Sequence, residues 1–129
     1  MNNPREELIK YRLDRAHETL EEARIMANTK HWNACVNRLY YACFYAVNAI
    51  LMQKDLSSPK HAGVRALLNM HFIKTGVLTK EMGRLYNTLF EYRQQSDYED
   101  LFRIDGKMVN PWVTQVKQFI DTIKALIKQ

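Results

Sequence analysis

The sequence predicts an all-α protein, an up-and-down bundle of four main helices and one shorter helix. Apolar residues recur at alternating spacings of three and four along five separate segments, which is the period of one helix face. Glycine (4) and proline (3) are scarce among the 129 residues, which disfavours sandwiches and barrels. Because the connections between the segments are short, we expect neighbouring helices to pack antiparallel within a single domain over residues 1–129.

The first two predicted helices differ in how many of their faces are apolar. A helix over residues 4–27 begins with Asn3 as capping side chain and a proline at its first position, and it has one apolar face. A helix over residues 31–53 has a broad apolar face and, opposite it, a stripe at four-three spacing: Ala34, Arg38, Tyr41, Tyr45, Asn48 and Met52. A helix that is covered on nearly every side is expected at the centre of the bundle or in an oligomer interface.

Two later helix starts carry the same signal of a capping residue followed by proline. Ser58-Pro59 predicts the start of a helix over residues 59–75, which Gly76 closes in the left-handed conformation. Asn110-Pro111 predicts the start of the last helix, after an irregular stretch over residues 99–109.

Composition and charge exclude several classes of protein. The formal net charge of +5 permits contact with a polyanion without demanding it. Cys35 and Cys43 lie about 12 Å apart along a helix and cannot bridge each other there. Free thiols suit a reducing cytosol, and neither a signal peptide nor a membrane span is visible, so we expect a cytoplasmic protein. There is no Gly-rich phosphate loop, nucleophile elbow or DNA-binding motif, and we expect neither metal nor cofactor.

The end of the fourth predicted helix is the sharpest chemical feature. Thr79 caps this helix, Arg93 falls on its apolar face, and Asp97 follows one turn later with Tyr98 beside it. A partly desolvated guanidinium needs a partner, so a structural salt bridge between Arg93 and Asp97 is one interpretation. The other interpretation is an anion site, in which the guanidinium holds a phosphate or a developing negative charge.

Two further groups of residues could bind a ligand or a partner. His61 lies near the core face of the third predicted helix, where a lone histidine is more often a hydrogen-bonded packing residue than a base. The other group belongs to the stripe of the second helix: Arg38, Tyr41, Tyr45 and Asn48. Such side chains could stack on RNA bases, but tyrosine and arginine are also favoured in protein interfaces, and we expect these four to form a dimer interface.

Three segments in register resemble the HEPN domain family. They are Asn37-Arg38-Leu39-Tyr40-Tyr41-Ala42-Cys43-Phe44-Tyr45-Ala46, Pro59-Lys60-His61-Ala62-Gly63-Val64 and Tyr92-Arg93-Gln94-Gln95-Ser96-Asp97-Tyr98. Together they look like the small prokaryotic subgroup that carries an Arg-x-x-x-Asp-Tyr element, and the resemblance covers nearly the whole chain.

The resemblance implies a helical bundle that forms homodimers and is often encoded beside a minimal nucleotidyltransferase, as a toxin–antitoxin or defence pair. Active members are metal-independent ribonucleases with an Arg-polar-x-His motif assembled from two protomers. In that motif the arginine stabilises phosphate charge and the histidine is the general acid or base. Here Arg93 is followed by the polar Gln94, but Tyr98 holds the place of the histidine, and a phenol is a poor base at neutral pH.

We therefore expect a homodimeric module that binds a nucleotide, an RNA or a nucleotidyltransferase partner. The expected ligand-binding residues are Arg93, Gln94, Asp97, Tyr98, His61 and Arg38. The alternative is a metal-independent toxin ribonuclease, in which Arg93 stays catalytic and Tyr98 or His61 replaces the motif histidine. A third alternative is a structural subunit that has no ligand.

Overall fold

The computed structural model describes residues 3–95 and 103–128, and within these ranges it contains helices and no strand. The helices are α1 (Pro4–Asn28), α2 (Trp32–Gln53), α3 (His61–Leu68), α4 (Lys80–Gln95) and α5 (Gly106–Ile127), and a π-helical turn (Asn69–Ile73) continues α3. The predicted class, four main helices with a shorter one between them, is confirmed.

Contacts between helix ends give the directions of the four long helices. The Arg5 side chain at the start of α1 donates to the backbone oxygen of Met52 near the end of α2 (2.7 Å), so these helices are antiparallel. The Gln53 side chain donates to the backbone oxygen of Ile127, which places the ends of α2 and α5 together. Tyr92 near the end of α4 packs on Trp112 near the start of α5. The long helices therefore alternate up and down along the chain.

α2 lies at the centre of the bundle and contacts each of the other four helices. Its buried residues occupy most of its circumference: Cys35, Val36, Leu39, Tyr40, Ala42, Cys43, Ala46, Val47, Ala49, Ile50 and Leu51. Burial of one large aliphatic side chain contributes about 1.5–3 kcal/mol. α2 is therefore the element around which the core forms, and the free thiols of Cys35 and Cys43 are part of that core.

Two of the predicted caps are present. The backbone N–H of Arg5 donates to Asn3 Oδ1 (2.8 Å) at the start of α1. The backbone N–H of Met82 donates to Thr79 Oγ1 (3.2 Å) at the start of α4. Gly76 has the predicted left-handed backbone, with φ of +82°. Each cap satisfies a backbone donor that the first helical turn leaves without a partner.

The other two predicted helix starts are wrong. α3 begins at His61 rather than at Pro59, because the Ser58 side chain accepts from the backbone N–H of Lys60 (3.2 Å) and holds this segment in a turn. α5 begins at Gly106, where Asp105 Oδ1 accepts from the backbone N–H of Met108 (3.0 Å). Pro111 consequently lies inside α5, and residues 106–109, predicted to be irregular, are helical.

The third helix also ends earlier than predicted. Its α-helical part is eight residues long, and the expected continuation consists of the π-helical turn over Asn69–Ile73. No helix in the described part of the chain is both long and apolar enough to cross a bilayer.

Candidate functional site

A cluster of aromatic rings fills the space between α2, α3 and α4. Tyr40 lies at its centre and is fully buried. The Tyr40 ring centroid is 5.1 Å from that of Tyr41, 5.8 Å from those of Phe44 and Tyr86, and 5.9 Å from that of Phe90. On α2, Tyr41 directly follows Tyr40, and Phe44 lies one helical turn after them. One sector of that helix therefore presents all three rings to its neighbours.

His61, the first residue of α3, packs into this cluster. Its imidazole stacks on Phe44 with centroids 4.5 Å apart and planes 21° apart, and its edge meets Tyr41 at 5.8 Å. The Tyr40 hydroxyl oxygen lies 2.7 Å from His61 Nδ1. Gly63, two residues further along α3, allows the helix to approach the loop, because a Cβ there would meet Ser58 Oγ at 2.0 Å.

Arg93 reaches the same rings from α4. Its guanidinium carbon is 4.9 Å from the Tyr40 ring centroid and 5.7 Å from the Tyr41 ring centroid. A guanidinium over an aromatic face is attracted by the ring quadrupole, and its N–H donors lie in its own plane. Burial, and secondarily the Arg93 charge, lower the pKa of His61, so this imidazole is neutral at physiological pH.

The structure thus brings together two of the predicted ligand-binding residues that lie 32 positions apart in sequence, Arg93 and His61. Gln94 is the exposed neighbour of Arg93 on α4. Asp97 and Tyr98, predicted to complete the site, lie outside the described residues, as does the interpretation of Arg93 and Asp97 as a salt bridge.

The predicted dimer-interface stripe of α2 is half-buried by contacts within the same chain. Arg38 forms an ion pair with Glu22 of α1 (3.2 Å), and its guanidinium carbon lies 5.3 Å from the Tyr41 ring centroid. The Arg15 guanidinium of α1 lies 5.2 Å from the Tyr45 ring centroid. The Asn48 side chain donates to the backbone oxygen of Phe44 one turn earlier (2.8 Å). Two guanidinium groups, those of Arg38 and Arg93, therefore lie 5.3 Å and 5.7 Å from the Tyr41 ring centroid.

Other chemistries find little support in the described residues. Residues 3–95 and 103–128 contain no group of three or more His, Cys, Asp or Glu side chains that could hold a metal ion. Burial raises the pKa of Cys35 to about 11 and raises that of Cys43 further, so neither thiol is an activated nucleophile at neutral pH.

Comparison with known proteins decides the family. The model of the HEPN domain matches residues 9–126, which is most of the chain and extends from within α1 to the last turn of α5. The chain belongs to the HEPN domain family. The three segments that resemble this family in the sequence supply the aromatic sector of α2, the start of α3 with His61, and the end of α4 with Arg93.

Relatives of this HEPN chain include bacterial and archaeal proteins. A "UPF0332 protein" of Thermotoga maritima is 40% identical over 98% of this chain and 96% of its own length. A "Putative toxin" of Methanocaldococcus jannaschii is 34% identical over 71% of this chain and 63% of its own length. A second protein of that archaeon with the same description is 28% identical over the whole chain and 96% of its own length.

Sequence reasoning missed one residue of this HEPN site. Tyr40 was assigned only to the apolar face of α2, yet its hydroxyl contacts His61 and its ring faces Arg93. The signal that could have identified it is the residue type. A tyrosine at a position that is apolar by spacing buries a hydroxyl, and a buried hydroxyl needs a hydrogen-bond partner.

Proposed function

We propose that this chain is a toxin-type HEPN module that acts as a homodimer and binds RNA through a phosphate group at Arg93 and His61. The observation that carries the proposal is the arrangement of these two side chains, which contact the same two rings, Tyr40 and Tyr41. One supplies a permanent positive charge and the other a neutral imidazole, and both are donors that suit a phosphate oxygen.

The rings beside Arg93 support RNA rather than free phosphate as the ligand. Tyr41 is half-buried, and the guanidinium groups of Arg38 and Arg93 lie 5.3 Å and 5.7 Å from its ring centroid. An aromatic ring among cations is the arrangement on which the bases of a single strand stack, while the cations hold the backbone. The net charge of +5 has the sign that attracts a polyanion.

The toxin-type role and the partners rest on the family. Two archaeal relatives carry toxin names, and the resemblance of this chain implies dimers and an accompanying minimal nucleotidyltransferase. The half-buried tyrosines and arginine of α2 support a dimer interface next to the site, because Tyr and Arg are enriched in such surfaces. Light scattering that gives a monomer at micromolar concentration would contradict the homodimer.

RNA binding is tested with a 2′-O-methyl oligoribonucleotide, which cannot be cleaved through its 2′ oxygen. Fluorescence anisotropy should show that Arg93→Ala weakens binding by at least about 10-fold, since a charge-assisted hydrogen bond is lost. The matched control is Arg84→Ala, which removes an exposed arginine from the same helix, where Arg84 pairs with Glu81. Equal loss in both variants would mean that only the overall charge matters, and the site would be refuted.

A second candidate function is metal-independent cleavage of RNA. It is favoured by the position of His61, which contacts the same Tyr40 and Tyr41 rings as Arg93. His61 would then take the role of the motif histidine, whose position in the sequence Tyr98 occupies. Incubation of natural mixed RNA in EDTA with wild type, Arg93→Ala and His61→Ala tests this candidate. Cleavage by wild type that both variants lose would establish it, and no cleavage by wild type would leave the binding function.

A further inference from the structure

His61 shares a hydrogen bond with Tyr40, a residue that the core completely encloses. Tyr40 has no exposed surface, and its hydroxyl oxygen lies 2.7 Å from His61 Nδ1. One of these two groups donates and the other accepts, and the choice fixes which nitrogen of the imidazole carries the proton.

The surroundings identify Tyr40 as the donor. Burial raises the pKa of Tyr40, so the phenol keeps its proton. Because His61 is neutral, its Nδ1 can accept, and an imidazole nitrogen is a stronger acceptor than a phenol oxygen. If Nδ1 donated instead, the Tyr40 proton would need another acceptor. The Tyr86 ring lies beside that of Tyr40, but the Tyr86 hydroxyl is buried without a hydrogen-bond partner among the described residues, so it does not accept the Tyr40 proton.

The remaining contacts of His61 hold its ring in place. Phe44 stacks on one face at 4.5 Å, and the start of α3 is fixed by the close approach of Gly63 to Ser58. In an imidazole Nε2 lies on the side away from Nδ1, and among residues 3–95 and 103–128 it has no hydrogen-bond partner. His61 is half-buried, and its Nε2 keeps exposed surface.

We propose that Tyr40 is a positioning residue that donates to His61 Nδ1 and thereby keeps the proton on Nε2, which makes His61 a second hydrogen-bond donor beside Arg93 for a phosphate oxygen of RNA. This inference rests on the proposed binding of RNA at Arg93. It goes beyond that proposal, because it assigns to the neutral His61 the role of a hydrogen-bond donor to the phosphate. With a proton on Nε2, His61 cannot accept a proton at the atom that faces away from Tyr40, so it holds the phosphate and is not a general base.

The direct test is the tautomer of His61 in the protein without RNA. A long-range ¹H–¹⁵N spectrum of histidine-labelled protein at neutral pH, with His61 assigned through the His61→Gln variant, distinguishes a protonated from an unprotonated ring nitrogen. The proposal expects an unprotonated Nδ1 and a protonated Nε2. A proton on Nδ1 would overturn the inference and leave the proposed RNA binding intact.

The second test measures binding of the 2′-O-methyl oligoribonucleotide. Tyr40→Phe keeps the ring and loses the donor, and it should weaken binding by about 3- to 10-fold, the effect of one hydrogen bond. Tyr11→Phe removes a hydroxyl from an exposed residue of α1, which is not part of the Arg93 and His61 site, and should leave the affinity for the oligonucleotide unchanged. His61→Ala should weaken binding similarly to Tyr40→Phe, whereas His61→Gln, whose amide keeps a donor, should retain more of it.

The double variant separates positioning from general stability. In a His61→Ala background, Tyr40→Phe should have no further effect on binding, because Tyr40 acts only through the imidazole. An effect of Tyr40→Phe that is the same with and without His61 would overturn the inference. Failure of the wild-type protein to bind the oligonucleotide would refute the proposed function and the phosphate role of His61 together. The tautomer measurement needs no RNA, so it would still show whether Tyr40 donates to His61.

Discussion

The close contact between Gly63 and Ser58 makes a prediction whose sign depends on a second residue. Alanine is more favourable than glycine within a helix by about 1 kcal/mol, so Gly63→Ala in α3 would ordinarily stabilise the protein. Here the added Cβ would lie 2.0 Å from Ser58 Oγ and 2.8 Å from Ser58 Cβ, well inside van der Waals contact. Overpacking of this kind costs about 1–3 kcal/mol. The expected net effect is a loss of stability of up to about 2 kcal/mol.

The matched variant removes the obstacle. Ser58→Gly deletes both atoms that the new Cβ would meet. In that background Gly63→Ala should stabilise by about 1 kcal/mol, as an ordinary substitution in a helix does. Ala66→Gly, at an exposed position of the same helix, should destabilise the protein by about 1 kcal/mol. It measures the difference in helix propensity between alanine and glycine within α3.

Urea unfolding followed by circular dichroism measures these changes. All variants are compared at one protein concentration, because the stability of a dimer depends on concentration. A change of 1 kcal/mol corresponds to about 3–5 °C in Tm for a chain of this size. If Gly63→Ala stabilised the protein equally with and without Ser58, the loop would be free to move away, and the close approach would not be what fixes the start of α3.

Three further outcomes follow from the same contacts. Leu39→Ala, at a fully buried position of the central helix, should cost about 2–5 kcal/mol in urea unfolding. The free energy of unfolding should fall as the pH drops below about 6.5, because burial and the Arg93 charge lower the pKa of His61 and the unfolded chain therefore binds this proton more readily. His61→Gln should reduce the dependence of the free energy of unfolding on pH. An unchanged dependence would contradict the lowered pKa of His61. Because burial raises the pKa of Cys35 to about 11, a thiol reagent at neutral pH should modify it only at the rate of unfolding.

The fold was largely predictable because its determinants are local. Apolar spacing identified all five helices, and the caps at Asn3 and Thr79 bind the backbone N–H groups they were expected to bind. Ser58-Pro59 and Asn110-Pro111 misled because the same residue types also form turns and occur inside helices. At the second of these sites, Asp105 caps the helix five residues before Asn110, so Pro111 lies inside α5, where a proline is uncommon because it lacks a backbone donor.

The site was predictable in part. Arg93 on an apolar helix face indicated a guanidinium that needs special surroundings, and it lies over the Tyr40 and Tyr41 rings. The contact of His61 with those rings could not be predicted, because it depends on how α3 packs across α2 and not on spacing within either helix. The role of Tyr40 could not be predicted because its position in the helical repeat is that of a core residue. The spacing alone gives no reason to expect a functional hydroxyl there.

The double role of Tyr40 also decides how the site can be studied. Its ring is part of the core, so truncation of Tyr40 would remove packing and site together, and any loss of function would be ambiguous. Arg93 and His61 are only half-buried, and their substitution leaves the Tyr40 ring in the core. Removal of the Tyr40 hydroxyl alone leaves the ring of this residue packed in the core. If Tyr40→Phe weakens RNA binding while the midpoint of urea unfolding stays within the range of Tyr11→Phe, the hydroxyl serves the site. If stability and binding fall together, the Tyr40–His61 hydrogen bond serves the fold.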